Sequence, residues 1–514
     1  MKKLLTTSLL FALLWSTINA QFPVVTILDV NQPEEPTIMM DYTNPARMMA
    51  ATNITHVLHS IDTGKTWVRL LPNASAYGLG GDPVLIADTS GSFYYFHLTN
   101  GLDRIACQRM DSLGGTWANE SHMGLNGTKD QDKEWGTVDR RNNNLYVTWT
   151  EFDRYGSQNS SDSSRIMFSR STDRGQTWSN AIQINEISGN CIDNDETTEG
   201  AVPCVGPNGE IYVSWAGSAG IVFDRSLDHG NTWLNQDIFV DSMPGGWNYD
   251  VPGISRCNGL PVTKCDTSGG IYNGNIYINW TDQRNGETDT DVWLAKSTDG
   301  GNTWSTPKRV NNDPPGRHQF LTWMDVDQIT GKIYVVFYDR RDTQNNYTEV
   351  YMAISEDGGD TFENIKISES SFLPSTNVFF GDYTNIVAYN GIVRPIWARL
   401  DNTSLSVKTA IINYEVPNSI TGMNKNENDL IVYPNPIKKQ AIAKFYNKSG
   451  GIVSLIIYNM EGKKEATVID NQYYGTGQHN IDFFHKTIHL QAGSYMLAFS
   501  VDEKIIDTQS IVIE

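Results

Sequence analysis

Positive charge is the first thing this sequence is short of. Its 514 residues carry 39 lysines and arginines against 59 aspartates and glutamates, a formal net charge of −20. A broad nucleic-acid surface needs clustered Lys and Arg to meet phosphates, so nucleic acid is excluded as a partner class. Cysteine is scarce too, with five residues at 107, 191, 204, 257 and 265. None forms a Cys-x-x-Cys pair, which removes the commonest signature of a structural zinc site. No EF-hand loop is present, so no metal ligand set is expected, although Ca2+ at an acidic rim stays open. Beyond the N-terminus no run approaches the roughly 18 apolar residues of a membrane span, and no transmembrane segment is expected.

What is present points outside the cell. Lys2 and Lys3 precede an apolar run from Leu4 to Ile18 that ends near Asn19-Ala20. That run is too short for a spanning helix and reads as a signal peptide over 1–20. In an oxidising compartment Cys191 with Cys204 and Cys257 with Cys265 are plausible local disulfides, leaving Cys107 free. Glycine (43), tyrosine (23) and tryptophan (14) are plentiful, a composition suited to tight turns between half-buried strands.

A period runs through residues 21–415. Ser60-Ile-Asp62-Thr-Gly64-Lys-Thr66-Trp67 returns at 171–178, 226–233 and 297–304, and at 355–362 with Phe362 for Trp. A degraded copy, Met110 to Trp117, has Ser112 where the Asp belongs. These copies are the S-x-D-x-G-x-T-W Asp-box. Asp62, Asp173, Asp228, Asp299 and Asp357 read as scaffold, because carboxylate and hydroxyl oxygens accept backbone N–H bonds inside a tight turn while Gly takes φ > 0. Strand pairs recur before the boxes, among them Leu145 to Trp149, Ile211 to Trp215 and Ile276 to Trp280. Seven pairs against six boxes favour a seven-bladed β-propeller, with six blades as the alternative. The orphan strand Val24 to Leu28 is available to complete the last blade, so that no sheet edge stays open.

Composition shifts after Tyr414. Residues 416–429 read as a linker, and 430–514 as a small β-sandwich opened by Leu430-Ile-Val-Tyr433-Pro434-Asn435-Pro436. With Tyr458-Asn-Met-Glu-Gly462-Lys463 and Gly493-Ser-Tyr495 in this order at the C-terminus, the tail resembles the type A sorting domain of the type IX secretion system. The resemblance implies that machinery as a partner, and a secreted or surface-attached product after outer-membrane export. The chain is therefore expected to be all-β throughout.

Candidate chemistry lies on the face away from the boxes. The starts of the first strands are mostly acidic: Glu35, Asp82, Glu134, Glu199 and Asp382, with Arg317 and His318 in the sixth unit. The loops after the second strands bring Arg284, Arg340 and Arg399 toward the same rim. Converging carboxylates raise one another's pKa and suit either glycoside hydrolysis or a divalent cation. The repeats resemble the sialidase-like superfamily, whose members use three arginines on a substrate carboxylate, a Tyr–Glu pair and an Asp. The resemblance implies an exo-type glycoside hydrolase with no cofactor, acting on an extracellular glycan or glycoprotein. On this reading Glu134, Glu199, Asp382 and Tyr383 are the catalytic candidates. Arg284, Arg340, Arg399, Asp82, Trp135 and His318 would bind substrate. The first-blade Phe-Arg-Ile-Pro motif of true sialidases is replaced by Pro33-Glu34-Glu35-Pro36. A non-catalytic propeller that binds glycan or protein through its rim, including Trp135, Trp247 and Trp323, is the alternative function.

Overall fold

The computed structural model describes residues 22–71, 75–118, 120–414, 430–433, 435–438, 441–447, 450–459, 462–484, 489–502 and 504–513. The expected signal peptide and linker lie outside the described residues. The chain divides into two compact units between Tyr414 and Glu415.

The first unit is a succession of seven antiparallel sheets. Six are four-stranded meanders covering residues 37–70, 81–123, 130–183, 199–241, 262–309 and 319–366. The seventh takes Asn385–Tyr389, Ile392–Asp401 and Ser404–Ala410, then borrows Val24–Leu28 as its outer strand. Val24 pairs with Ala410, Val25 with Thr409 and Thr26 with Lys408. The seven first strands pack one on the next, and the seventh packs back on the first. The ring closes on itself, and the N-terminal strand covers what would be an open edge.

Burial explains the pattern of the second strands. Trp149, Trp215, Trp280 and Trp397 are all fully buried. Each removes roughly 150–250 Å2 from water, about 4–6 kcal/mol of gross transfer free energy before entropy is counted. Two of the polar edges are met, Trp149 Nε1 donating to Gln131 at 2.6 Å and Trp280 Nε1 to Asp282 at 2.9 Å, while Trp397 Nε1 is buried without a partner.

The S-x-D-x-G-x-T-W turns join the third and fourth strands of their sheets. Asp62 accepts from the N–H groups of Lys65 (3.0 Å) and Thr66 (2.9 Å) and from the Thr66 hydroxyl (2.7 Å). The Ser60 hydroxyl accepts from Gly64 N–H at 2.9 Å, where Gly64 has φ +82°. The same bonds recur at Asp173, Asp228, Asp299 and Asp357. Both oxygens of each carboxylate are engaged by its own turn.

The expected disulfides are not formed. All five cysteines are buried free thiols. Cys204 and Cys265 lie at or next to the ends of the first strands of neighbouring sheets and share one apolar cluster. Cys191 instead lies under the turn at Asp153 and Arg154, and Cys257 packs beside Tyr249. Burial pushes the Cys204 and Cys257 thiols up to about 12.

The second unit consists of two sheets. One holds Leu430–Tyr433, Ile442–Asn447 and Gly477–Asp482, and the other Lys464–Tyr474, Gly451–Asn459, Gly493–Val501 and Lys504–Ile513. Phe445 from the first sheet and Leu455, Leu497, Phe499 and Ile511 from the second belong to one buried cluster.

Candidate functional site

The first strands begin at one mouth of the ring, and five of them begin with the same distortion. Glu35 (φ 50°), Asp82 (φ 49°), Lys133 (φ 48°), Gly200 (φ 78°) and Leu321 (φ 49°) are all left-handed. Each stands two residues before the point where regular pairing starts. The register slips at this place between Gly81 and Val84, Asp132 and Trp135, Glu199 and Val202, and Phe320 and Trp323. Glycine adopts this conformation freely; the other four residues hold it at a cost of about 1–3 kcal/mol each. A bulge re-aims the side chain it carries. Here Glu35, Asp82 and Lys133 come to line one cavity of about 210 Å3, joined by Asp130, Asp132, Tyr155, Arg256 and Phe379.

The charges in this mouth sort into unlike states. Asp382, almost fully buried, receives Lys133 Nζ at 2.9 Å and Arg256 Nε at 2.8 Å, with a second bond from the Arg256 guanidinium. Burial opposes its ionisation, but the two cations win and hold its carboxyl below the ordinary range. Lys133 stays charged despite burial, because Asp382, Asp132 and Glu199 surround it. The other carboxyls go the opposite way. Burial, reinforced by Asp82, pushes Glu34 up to about 8 and Glu35 well above its usual value. Asp132 rises to about 7 by burial, partly offset by Lys133. Glu35 is positioned by two bonds, accepting from Asp382 N–H at 3.1 Å and from Asn53 Nδ2 at 2.6 Å.

The residues singled out in the sequence are distributed unevenly around this cavity. Asp82 lines it. Asp382 and Tyr383 lie just beneath, around a pocket of about 30 Å3 shared with Lys133, room for one water. Glu134 and Glu199 are buried and do not line the cavity. Neither Glu134 oxygen meets a hydrogen-bond partner, and Glu199 approaches only Lys133, at 3.8 Å. Burial raises both carboxyls well above their usual value, helped at Glu134 by Asp82 and opposed at Glu199 by Lys133. The Tyr383 hydroxyl is buried without a partner and its pKa is pushed up, so it is a neutral phenol. Its ring packs on Trp135 at 5.2 Å and Trp323 at 6.1 Å, and the two tryptophans meet at 4.1 Å. Trp135 is thus part of an aromatic plug beneath the cavity.

The rim arginines are not gathered here. Arg284 is held by Asp282 (2.6 Å) and Asp241 (2.7 Å), and Arg399 by Asp401 (2.8 Å) and the Ser370 carbonyl (2.8 Å). Arg340 is buried, donates to Thr348 at 3.1 Å and lies over the Phe320 ring. His318 bonds Thr290 at 3.0 Å, and burial pushes it down to about 4. None of the four lines the acidic cavity.

Three residues that do build the site escaped the sequence reading. Asp132 and Lys133 belong to the charged run Asp130-Gln-Asp132-Lys133-Glu134, whose density was the available signal. Arg256 lies in the long connection between the fourth and fifth sheets, where no periodic pattern marks it.

No protein-family profile matches the chain. It is similar to a xyloglucanase of Paenibacillus sp, 26% identical over 185 residues, which are 35% of this chain and 16% of that protein. It is also similar to the xyloglucanase Xgh74A of Acetivibrio thermocellus, 28% identical over 175 residues, 33% of this chain and 19% of that one. The matched stretch therefore spans less than a fifth of either relative. Among solved structures, an ulvan lyase of polysaccharide lyase family PL25 aligns with a TM-score of 0.46 at 12% identity, over 76% of this chain and 96% of that one. The Hadza microbial sialidase Hz136 aligns at 0.41 and 16% identity, over 71% and 73%. The α-L-arabinanase of Penicillium chrysogenum aligns at 0.40 and 12% identity, over 76% and 98%.

Proposed function

We propose that the chain is a seven-bladed β-propeller that hydrolyses extracellular glycans at its acidic mouth. The observation that carries this reading is the pairing of carboxyl states around one open cavity. Burial pushes the Asp132 carboxyl up to about 7, while Asp382, held ionised by Lys133 and Arg256, fixes both cations in the wall. Glycoside hydrolysis needs one carboxyl able to donate a proton to the leaving oxygen and a second facing the other side of the bond. Asp132 fills the first role, and Asp82, which lines the same cavity and raises the pKa of Asp132, fills the second. Glu134, Glu199 and Tyr383 act from behind, as the buried acidic field and aromatic plug that fix Lys133 and the floor.

The substrate class follows from charge and size. A cavity lined by Glu35, Asp82, Asp130 and Asp132 against Lys133 and Arg256 disfavours an anionic sugar, so a neutral glycan fits better than a sialic acid. Its volume is below the roughly 300 Å3 at which pockets for drug-sized ligands begin, which suits a chain end and exo-type attack. Location belongs to the same reading: an N-terminal leader, and a C-terminal sandwich serving as a type IX sorting domain on the strength of its motifs. One observation favours the alternative of a non-catalytic binding propeller: Glu35 is bonded to Asp382 N–H and Asn53 rather than free.

The test is turnover by the mature chain on a panel of neutral and anionic polysaccharides, xyloglucan included because the partial relatives bear that name. Asp132→Asn is expected to lower kcat by about 100-fold or more while leaving glycan binding within threefold. Binding without turnover on every glycan would instead establish the non-catalytic module.

A further inference from the structure

The central channel has a second mouth, at the far ends of the same first strands. There the cavity is about 510 Å3, with Trp135 and Trp323 as the floor it shares with the acidic side. Ile38, Ile86, Val202 and Ile386 form apolar walls. Five charged side chains line it: Asp139, Arg140, Arg141, Lys264 and Asp325. Four of them cancel in pairs, Arg141 with Asp139 at 2.7 Å and Lys264 with Asp325 at 3.1 Å. Arg140 is left over. Its guanidinium lies 3.5 Å from the centre of the Tyr42 ring and 5.7 Å from that of Tyr389, and no carboxylate among the described residues pairs with it. Stacking on a ring face holds a guanidinium in place while its in-plane N–H donors remain available.

We propose that this second mouth binds a carboxylate-bearing sugar. The Arg140 fork, held flat on Tyr42, takes the carboxylate through two parallel hydrogen bonds, and the apolar walls of Ile38, Ile86, Val202 and Ile386 take the C–H faces of the pyranose. The volume falls within the roughly 300–1,000 Å3 of small-molecule sites, and a net charge of +1 selects an anion. The site recognises without transforming, because both of its carboxylates are committed to ion pairs. It is independent of the chemistry at the acidic mouth and takes the opposite class of ligand.

Calorimetric titration of the mature chain with D-glucuronate, D-glucose and inorganic sulfate tests this. Glucuronate is expected to bind at one site per chain, with glucose and sulfate each at least tenfold weaker. Arg140→Gln should weaken glucuronate at least tenfold without moving the thermal midpoint, and Arg140→Lys should recover only part of the loss. Asp132→Asn should leave glucuronate binding unchanged, which separates this site from the acidic one. No heat with glucuronate, or equal affinity in Arg140→Gln, overturns the proposal. Sulfate binding as tightly as glucuronate overturns its sugar component.

Discussion

The two mouths lie at opposite ends of the same ring of first strands, yet their chemistry is opposite. At the strand starts, left-handed bulges at Asp82, Lys133 and Leu321 break the ladder, Glu35 is left-handed just before its strand, and carboxyls crowd around two cations. At the far ends the ladder is regular, and the charges fall into two ion pairs and one stacked arginine. The carboxyls that crowd one another, at Glu34, Glu35, Asp82, Asp132 and Asp382, gather at the strand starts, and a cluster of this kind marks a candidate functional site on a scaffold of near-identical units.

Removing one lysine from each mouth breaks the comparison most severely. Lys133 has three buried or half-buried carboxylates around it, Asp382, Asp132 and Glu199. Lys133→Met leaves the buried, ionised Asp382 to Arg256 alone and removes the cation that offsets the burial of Asp132 and Glu199, and urea denaturation should show a loss of about 3–5 kcal/mol. Lys264 serves Asp325 alone and its side chain keeps 27% of its surface exposed, so Lys264→Met should cost only about 1 kcal/mol. Equal losses would mean that the acidic mouth is no more strongly coupled than the other.

Much of the ring could be read from sequence because its determinants are local and repeated. Second strands ending in Trp149, Trp215 and Trp280 announce burial by their spacing, and the Asp-turns carry their own hydrogen-bond partners within eight residues. The candidate site was legible only in outline. The acidic strand starts were visible as a set, but the bulges shift each side chain by one place relative to the ladder, so Glu134 turns inward while Lys133 faces the cavity. Rim arginines looked like a clamp, whereas Arg284 and Arg399 are spent on aspartates two residues away. Arg256 comes from a connection without period, and pairing it with Asp382 requires the closed ring. The cysteines misled for a similar reason: closeness in sequence suggested Cys257 with Cys265, while the fold sets Cys265 beside Cys204.

A smaller effect sharpens the contrast through pH. Glu34 (about 8), Asp132 (about 7), Glu35, Glu134 and Glu199 all have raised values in the folded chain. Between the ordinary carboxylate range and about pH 8 the native state therefore binds more protons than the unfolded state, and stability falls as pH rises. The thermal midpoint should decline from pH 5 to pH 8. Glu134→Gln removes one contributor, so the variant should match the parent at pH 5 and melt a few degrees higher at pH 8. A midpoint that climbs across this interval would show that the buried carboxyls are ionised.

The smallest effect lies in the turns. Asp62 accepts three bonds from Lys65 and Thr66 and a fourth from the Ser60 hydroxyl at 2.8 Å. Burial opposes its ionisation, but these bonds together outweigh it and hold the carboxyl at about 2. Its surroundings are solvent-accessible, so water replaces most of what Asp62→Ala removes, and the cost should be about 1 kcal/mol. The sign is opposite to that of the acidic mouth: a lowered pKa contributes stability above the ordinary carboxylate range and loses it as pH falls toward 2. Asp62→Ala should therefore lower the midpoint at pH 5 and pH 8 alike and converge on the parent only as the pH falls through about 2. Glycan turnover and glucuronate binding should both be unchanged, because the turn touches neither mouth. A loss of either one would place the Asp-turns among the functional groups and remove the distinction between scaffold and site on which the comparison rests.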